Sequence, residues 1–391
     1  MKHRMFFLLA SVLLALPATG MELPKDSTAT WLETITKGKE LPHLKFSGFL
    51  RFNYNYSDWK EGSKKRGGDF GYDLFKLGVA GSYKKILLDV DFRFYAKPSG
   101  GAMLKSGWIG YKFNDRHQLQ VGLTRVPFGI QPYGAHNYFF QIAYYLGLED
   151  DSDMGIKYLY TADRWEYALA FFKNSEEELF GSDSETAGDR YSYDVAGRNK
   201  EVNQFNGQVF YKWGDGTRQK IGASAEFGML YNLDTEKNGT HYAFAVHHEL
   251  YWKGLSLKTQ VSTYAMYPKN KPGETRDIVT MTAFNAPYEI AAKANIYSVS
   301  AGYTIPFSKG IVNSIQFYND FGWMQKWDKS FHDSFQNVTG CLITAGPVLC
   351  YVDYAQGLHQ PWFGPDWNAF GAGTGSNSWH ARFNISLGYY F

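Results

Sequence analysis

The chain has 391 residues, with 40 Lys and Arg residues against 38 Asp and Glu residues, and 18% of its residues are aromatic. A formal net charge of +2 offers no strongly basic surface for nucleic acid, and two cysteines cannot build a disulfide framework or a four-cysteine zinc site. The mean hydropathy of −0.37 excludes a bundle of membrane-spanning helices, but not a membrane barrel, because only half the residues of a barrel strand face lipid.

The first 20 residues have the three parts of a secretory signal peptide. Lys2 and Arg4 form a basic start, residues 5–16 form an apolar segment, and small residues follow. The apolar segment is too short to cross a bilayer as a helix, and a buried N-terminal helix is the alternative interpretation. We therefore predict a signal peptide at 1–20 and an exported protein.

Residues 21–44 precede the first predicted strand. Thr30 and Glu33 match a capping box, which indicates one or two helical turns. We expect a short periplasmic N-terminal segment that packs under the following domain or against another subunit. A disordered leader is the alternative.

From Phe46 onward, apolar and polar residues alternate. Between positions 46 and 56 the even positions carry Phe, Gly, Leu, Phe, Tyr and Tyr, and the odd positions are mostly polar. A period of two over ten or more residues indicates strands with two chemically opposite faces. Soluble strands usually have about 5–6 residues, whereas strands that cross a membrane have about 9–11. The length therefore favours membrane-spanning strands.

The alternation predicts sixteen strands, an even number that fits a single-chain bacterial barrel with both termini in the periplasm. The predicted fold class is all-β: a transmembrane, antiparallel, up-and-down β-barrel formed by residues 45–391. The pattern is least regular at 322–378. The predicted strands are 45–57, 71–84, 86–97, 102–113, 117–125, 153–161, 164–173, 203–213, 219–231, 240–252, 255–267, 290–305, 311–321, 335–345, 348–356 and 379–391.

The connections between these strands alternate in length. Turns of two or three residues, such as Lys84-Lys85 and Gly346-Pro347, follow the even-numbered strands, whereas most other connections are long and polar, such as 58–70 and 174–202. Short periplasmic turns and long outer loops are typical of outer-membrane barrels. A β-sandwich, the alternative all-β fold, has no reason to sort its connections in this way.

The C-terminal residues form an apolar stripe that ends on a terminal aromatic residue, and Arg382, Asn384 and Ser386 occupy the other face. This pattern resembles the signal that the barrel-assembly machinery recognises in bacterial outer-membrane proteins. We therefore expect that machinery as a partner, and a location in the outer membrane of a Gram-negative bacterium. The predicted C-terminal assembly signal consists of Phe383, Ile385, Leu387, Tyr389 and Phe391.

The segment 120–129, with Gly122 followed by Pro127-Phe128, resembles the Gly-x-x-x-x-Pro-Phe stretch of the phosphate-selective porin O/P family. Over 45–391 the predicted architecture resembles a sixteen-stranded bacterial porin. The resemblance implies a water-filled channel for small hydrophilic solutes, usually a homotrimer, surrounded by outer-membrane lipid and lipopolysaccharide. It does not identify the solute.

The polar faces of the strands are predicted to line the lumen, because a Lys or Arg on the lipid face near the membrane centre costs about 2–4 kcal/mol. About sixteen strands leave an aqueous channel, which a barrel of about eight strands does not. The alternative is a plugged lumen in which the charges pair with one another. The predicted pore-lining basic residues are Arg51, Lys76, Arg93, Lys97, Lys112, Arg125, Lys212, Lys220, Lys258 and Arg382, and the acidic ones are Asp89, Asp91, Glu166, Glu226, Glu249 and Asp320.

Residues 126–152 are unusually aromatic for a solvated loop, and they end in consecutive acidic residues. Exposed aromatic rings require cover, and the porin resemblance implies an inward-folded loop that narrows the barrel. We hypothesise that the carboxylates at 149–151 face arginines across the constriction and create a transverse electric field; packing against a neighbouring subunit is the alternative. The arginines are Arg51, Arg93 and Arg125, and the predicted constriction-loop residues are Tyr133, Tyr138, Tyr144, Tyr145, Glu149, Asp150 and Asp151.

The sequence predicts at most a mild, phosphate-type preference for anions. The predicted wall has ten cations and six anions, but residues 126–152 contain no Lys or Arg. Phosphate-selective members of the resembled family line the constriction with basic residues. The outer loop 58–70 is basic instead, with Lys60, Lys64, Lys65 and Arg66, and it would steer anions. A solvated loop and a loop that contacts lipopolysaccharide phosphates are the alternatives.

Cys341 and Cys350 flank the predicted turn at 346–347 almost symmetrically. The oxidising periplasm permits a cross-strand disulfide between them if they face each other. Two free thiols are the alternative.

The sequence contains no metal-binding or catalytic motif of the His-Glu-x-x-His or Gly-x-Ser-x-Gly type. His247 and His248 cannot share a metal ion, because successive strand residues point to opposite faces. We therefore predict no cofactor and no enzyme activity, and the predicted function is passive diffusion through a porin. The alternatives are a substrate-specific uptake channel, for example for sugars, and an outer-membrane barrel enzyme.

Overall fold

The computed structural model describes residues 42–176, 183–214 and 216–391. The predicted signal peptide at 1–20 and the capping box at Thr30 and Glu33 lie outside these residues. Of the predicted N-terminal segment 21–44, only 42–44 are described, and His43 already begins the first strand.

Within the described residues the chain forms nineteen strands, one short α-helix and three short 3-10 helices. No helix of this part of the chain is long and apolar enough to cross a membrane. The 3-10 helices are Lys97–Ser99, Ile142–Leu146 and Pro361–Phe363, and the α-helix is α1 (Glu61–Arg66). The strands are β1 (His43–Ser57), β2 (Asp69–Tyr83), β3 (Ile86–Tyr95), β4 (Ala102–Lys112), β5 (His117–Arg125), β6 (Ser152–Thr161), β7 (Trp165–Asn174), β8 (Asp194–Val195), β9 (Asn199–Trp213), β10 (Arg218–Asn232), β11 (Lys237–Trp252), β12 (Leu255–Tyr267), β13 (Ile278–Thr282), β14 (Tyr288–Ala291), β15 (Lys293–Pro306), β16 (Ser314–Lys326), β17 (Ser334–Ala345), β18 (Val348–Leu358) and β19 (His380–Tyr390).

Sixteen of the described strands close into one antiparallel barrel, which confirms the predicted fold class. Each barrel strand pairs with its neighbour along the chain, and β1 pairs with β19 to close the cylinder. Phe52 lies opposite Leu387 in this closing pair. The terminal residue takes part, because the backbone N–H and carbonyl of Phe391 each bond to Gly48 at 2.9 Å. Closure leaves no unpaired edge, as a hydrocarbon environment requires.

The long connections lie at one end of the barrel and the short turns at the other, as predicted. The turns at 84–85, 253–254 and 346–347 contain two residues each. The long connections are 58–68, 126–151, 175–198, 268–292 and 359–379, and the connection 233–236 is a short exception that the sequence did not predict. β8, β13 and β14 were also not predicted, and they form a separate three-stranded sheet from two of the long connections.

The barrel is apolar outside and polar inside. Ile109, Leu169 and Val246, which point outward, are each about 60% exposed (62%, 61% and 60%). By contrast, the inward-facing Asp320 and Ser300 are fully buried. A water-soluble protein arranges its surface and interior the other way round. The observed arrangement places the apolar rows against lipid, as the alternation predicts.

An apolar core lies inside the barrel rather than between two sheets. The long connections supply most of it, including Leu146, Tyr193, Met281 and Phe370, and they pack on inward-facing alanines of the strands. The sequence interpretation treated these connections as mainly polar. Their aromatic rings are instead removed from water by one another, which is the hydrophobic contribution that holds the loops in place.

The possible disulfide is not formed, and both cysteines are free thiols. The register of β17 and β18 places Cys341 opposite Val352 and Cys350 opposite Ile343. The two cysteines share the outward face but are diagonal neighbours rather than a direct pair. The near-symmetry about the turn at 346–347 is therefore offset by two residues, so the two thiols do not lie opposite each other.

Candidate functional site

The candidate site is the inner loop, residues 126–151, together with the barrel wall around it. The loop enters the lumen between β5 and β6 and bonds to strands on the far side. The backbone N–H of Gly129 donates to Ser224 Oγ of β10 at 3.1 Å, and that of Ile130 donates to Gln260 of β12 at 2.9 Å. Further along, Gln141 donates to Ser300 of β15 at 2.7 Å. The inward fold implied by the porin resemblance is present.

Asp320 of β16 is the strongest single anchor of the inner loop. Its carboxylate accepts hydrogen bonds from the backbone N–H of His136 at 2.7 Å and of Asn137 at 2.9 Å. The side chains of the same two residues add bonds at 2.9 and 2.7 Å. The sequence predicted Asp320 as a pore-lining acid. The structure buries it completely against the loop instead.

Replacing Asp320 with Ala is expected to loosen the inner loop. Four donors lose a charged acceptor, and breaking such a buried, charge-assisted set costs about 3–5 kcal/mol. We expect a lower midpoint of thermal unfolding and noisier open-channel current in single-channel recordings. Asp163→Ala, in an exposed turn, is the control. Equal melting and equal noise in both variants would contradict the anchoring role.

The second half of the inner loop packs into the apolar core. Tyr144 and Tyr145 are 6% and 4% exposed, and the ring centroid of Tyr145 lies 5.7 Å from that of Trp362 in the connection 359–379. The hydroxyl of Tyr288 donates to the carbonyl of Tyr145. The aromatic residues that distinguish this loop in the sequence therefore pack against the other long connections.

The first half of the loop leaves part of its surface accessible in the lumen. Tyr133, Tyr138 and Phe140 are only half-buried, and the ring centroids of Tyr133 and Phe140 are 5.1 Å apart. Tyr138 accepts a hydrogen bond from Asn53 of β1 at 2.7 Å. The accessible side of the loop is therefore aromatic rather than acidic.

The wall segment from β1 to β5 faces this loop with a group of cations, which we call the basic arc. Three of its members are paired with carboxylates of the same wall rather than left single. Arg51 Nε lies 2.5 Å from Asp73, and Lys76 Nζ and Arg93 Nε lie 3.2 and 3.1 Å from Asp91. Arg51 also lies over the ring of Tyr138, with 4.9 Å between Cζ and the ring centroid. The basic arc consists of Arg51, Lys76, Arg93, Lys105 and Arg125.

Residues 129–141 form hydrogen bonds with the barrel strands β1, β9, β10, β12 and β15–β18. Among the described residues, none of their hydrogen bonds goes to β2–β5. The loop therefore lies along the far wall. On β2–β5 the Lys76 and Arg125 side chains remain half-buried, whereas Arg93 and Lys105 are buried against the ring of Tyr191.

Asp150 joins the inner loop to the basic arc. Its carboxylate accepts hydrogen bonds from Arg125, with Nη2 at 2.8 Å, from Lys105, and from the Tyr191 hydroxyl at 2.7 Å. Burial acts to raise the pKa of Asp150, but the charges of Lys105 and Arg125 outweigh burial and hold that pKa below its usual value. Asp150 is therefore an ionised clamp in direct contact with the cations.

The other two predicted acidic residues do not join Asp150. The prediction that three carboxylates face the arginines across the constriction is therefore wrong for Glu149 and Asp151. Glu149 turns back to accept the backbone N–H of Gly134 at 3.0 Å, and burial raises its pKa to about 8. Asp151 points into a different group of carboxylates. Arg51 and Arg93 pair with wall aspartates, because those carboxylates lie closer than the loop does.

The remaining predicted wall residues have separate roles. Lys258 donates to the loop carbonyls of Tyr133 and Ala135 at 2.7 and 3.1 Å. Most of the rest pair near the barrel ends or inside the wall: Lys212 and Lys220 with Glu166, Lys112 with Asp115, Glu226 with His241, Glu249 with the Tyr251 hydroxyl, and Arg382 with Asn55. Asp89 lies on β3, opposite Ala80.

Lys97 was predicted to line the pore and does not. β3 ends at Tyr95, and Lys97 lies exposed in the 3-10 helix that follows it. Pro98 at the second position of that helix cannot donate to a strand ladder. The alternating pattern was extended two residues too far.

The described barrel resembles solved outer-membrane proteins, whereas no protein-family model and no curated protein matches the chain. It is similar to OmpT, an outer membrane protein of Vibrio cholerae (trimer form), with a TM-score of 0.58 and 16% identity over 90% of this chain and 100% of that chain. The outer membrane channel DcaP of Acinetobacter baumannii gives 0.58 and 12%, covering 90% and 97%. An anion-selective porin from Comamonas acidovorans gives 0.54 and 9%, covering 90% and 100%.

At these identities the likeness shows the fold. It is a closed sixteen-stranded barrel of the kind found in outer-membrane proteins and channels. None of these three neighbours is described as a phosphate-selective porin. Membership of the O/P family, to which the segment 120–129 pointed, therefore stays a prediction.

Sequence reasoning missed Lys105, which is 3% exposed and binds Asp150. The pairing of β3 with β4 shifts by one residue between Asp91 and Phe92, which forms a β-bulge at Lys105. Beyond the bulge the inward-facing positions of β4 change from even numbers, such as Lys112, to odd numbers, so Lys105 points inward. A strict period of two cannot reveal such a residue. Tyr191 was missed as well, because it lies in a long connection that carries no periodic signal.

Proposed function

We propose that the chain is an outer-membrane porin, which forms a water-filled channel for passive diffusion of small hydrophilic solutes and ions. The observation that carries this proposal is the inverted barrel: apolar rows outside, charged side chains inside, and a loop bound across part of the lumen. The DcaP channel and the Comamonas porin share the fold. This likeness to a channel and a porin supports the same role here.

The passage is proposed to run between the accessible side of the inner loop and the basic arc. The charged groups beside it are four cations of the arc, Arg51, Lys76, Arg93 and Arg125, and the three carboxylates of Asp73, Asp89 and Asp91, because Lys105 and Asp150 are buried as a pair. An excess of one positive charge supports a mild preference for anions. Strong selectivity is not expected, because most of these cations already have a carboxylate partner.

A substrate-specific uptake channel, for example for sugars, is the second candidate function. The half-buried rings of Tyr133, Tyr138 and Phe140 favour it, because they offer a stacking surface in the lumen. An outer-membrane barrel enzyme is the weaker alternative. We propose that the chain catalyses no reaction.

The remaining parts of the proposal concern partners and location. An exported, outer-membrane protein would be surrounded by lipid and lipopolysaccharide, and the exposed Lys60, Lys64, Lys65 and Arg66 of the outer loop 58–68 are suited to lipopolysaccharide phosphates. The apolar stripe ending at Phe391 is proposed to engage the barrel-assembly machinery. A homotrimer is proposed because a structural neighbour is described as a trimer form.

One recording in a planar lipid bilayer tests the function. We expect discrete conductance steps, in groups of three for a trimer, and a reversal potential in a salt gradient of the sign of mild anion preference. A solute that blocks the current at low concentration would favour the specific channel instead. A folded protein that inserts and conducts no ions would refute the porin proposal.

A further inference from the structure

Three buried carboxylates meet where the inner loop ends. Asp151 is the last residue of the loop, Asp153 belongs to β6, and Asp194 belongs to the small sheet. One oxygen from each lies within 4.8 Å of the others, and the three residues are 6%, 2% and 0% exposed. Two ligands of one Ca²⁺ at about 2.4 Å can be at most about 4.8 Å apart, so this spacing fits a single ion.

One oxygen of each carboxylate lacks a hydrogen-bond donor. Asp151 Oδ1, Asp153 Oδ1 and Asp194 Oδ1 are buried and accept no hydrogen bond among the described residues. The other oxygens of two of these residues are held from behind, Asp153 Oδ2 by Gln204 at 3.4 Å and Asp194 Oδ2 by Arg190 at 2.8 Å. Metal-binding carboxylates are commonly oriented in this way by a second layer of donors.

An enclosed cavity adjoins the cluster at Asp151. Its volume is about 10 Å³, which is the space of one water-sized sphere, and its polar lining includes Asp151, Glu201, Glu226 and His241. Asn206 holds one oxygen of Glu226 at 3.0 Å. Two further carboxylates therefore stand beside the same small space.

The positive charge supplied by the protein is too small for this cluster. Arg190 is shared between Asp194 and Glu176, with its Nε 3.4 Å from Glu176. No Lys, Arg or His of the described residues lies within ion-pair distance of Asp151 or Asp153. Buried carboxylates without a partner are costly, and a bound cation would remove that cost.

We propose that this cluster is a binding site for one divalent cation, with Asp151, Asp153 and Asp194 as ligands and Glu201 or Glu226 completing the shell. Calcium suits the site best, because it takes six to eight oxygen ligands in a flexible arrangement, whereas magnesium demands near-ideal octahedral geometry. The ion would link the end of the inner loop to β6, to the small sheet and to the wall at β9 and β10. It would thereby fix the C-terminal end of the loop, whereas Asp320 holds its middle.

Calcium binding to the full-length protein, purified in detergent free of lipopolysaccharide, tests the proposal. Isothermal titration with Ca²⁺ is expected to give one ion per chain, and Tb³⁺ is expected to show luminescence sensitised by Tyr193 and Tyr264, which line the cavity. Asp153→Asn should lower the affinity at least about tenfold. A chelator should lower the melting temperature of the wild-type protein and leave that of the variant unchanged.

Asp353→Asn is the matched control. Asp353 is equally buried, and it accepts from the Tyr318 hydroxyl at 2.6 Å and from the backbone of Tyr138, away from the cluster. It should lose stability and keep its calcium response. Absence of stoichiometric binding by the folded wild-type protein would overturn the proposal, and so would equal affinities of the wild-type and Asp153→Asn proteins. If Asp153→Asn does not fold, Asp194→Asn and the wild-type titration decide.

Discussion

Deleting residues 134–148 is expected to raise the single-channel conductance severalfold. This segment contains His136 and Asn137, which bind Asp320, and Gln141, which binds Ser300 on the far wall. Its removal therefore takes away the larger part of the inner loop, whereas residues 126–133 keep their bonds to β10 and β12. The carboxylate of Glu149 contacts the N–H of Gly134 at 3.0 Å, so the ends of the cut are near each other and a short Gly-Ser linker can join them.

The control for this deletion replaces α1 with a Gly-Ser linker of equal length. α1 lies in the connection between β1 and β2, and most of its residues are exposed. Its conductance should equal that of the unaltered protein. Both variants must first show the heat-dependent shift in gel mobility that a folded barrel gives. An unchanged conductance in a correctly folded deletion variant would mean that the loop does not limit the current.

The barrel itself could be predicted from the sequence because the membrane imposes its pattern. Each strand must present apolar residues to lipid at every second position, and the sixteen predicted strands match the sixteen observed ones with boundaries shifted by a few residues. β15 begins at Lys293 rather than 290, and β16 continues to Lys326, five residues beyond its predicted end. Where a strand extends beyond the hydrocarbon of the membrane, it no longer has to present an apolar residue at every second position.

The contents of the lumen could be predicted only in part. That the loop after β5 turns inward followed from its aromatic rings and from the porin resemblance, but its partners did not. Asp320 and Lys258 were predicted to line open water, and they bind the loop instead. Alternation assigns a residue to a face of the wall. It cannot tell whether water or another segment lies opposite.

The charge pairing was hidden from the sequence for a related reason. Residues 149–151 are consecutive, yet they point to three different surroundings, because each backbone step in an irregular segment redirects the side chain. Asp150 joins the basic arc, Glu149 caps the loop from within, and Asp151 meets Asp153 and Asp194. Asp194 is 41 residues further along the chain than Asp153, so only the fold brings the carboxylate cluster together.

Replacing both Arg51 and Arg93 with Gln is expected to reverse the ion selectivity from mild anion preference to cation preference. The passage would keep two cations, Lys76 and Arg125, beside the three carboxylates of Asp73, Asp89 and Asp91. Asp73 would lose its partner at 2.5 Å, and Asp91 would keep only Lys76 at 3.2 Å. A unit charge about 4 Å away is worth about 4 kcal/mol at an effective dielectric constant of 20. About one third of this interaction energy is enough to change the ratio of anion to cation permeability tenfold.

The reversal potential in a tenfold gradient of potassium chloride measures this change, and the double variant Lys64→Gln with Arg66→Gln is the control. This control also removes two positive charges, but it removes them from α1, where the Lys64 and Arg66 side chains are 42% and 61% exposed. At about 0.1 M salt the Debye length is about 10 Å, so exposed charges in the outer loop are largely screened from the constriction. If the reversal potential shifts equally in both double variants, the outer surface determines the selectivity. If it shifts in neither variant, the current path lies away from the basic arc. A sign change in the first variant alone would place permeating ions beside Arg51 and Arg93, because no screened charge can act on them so strongly.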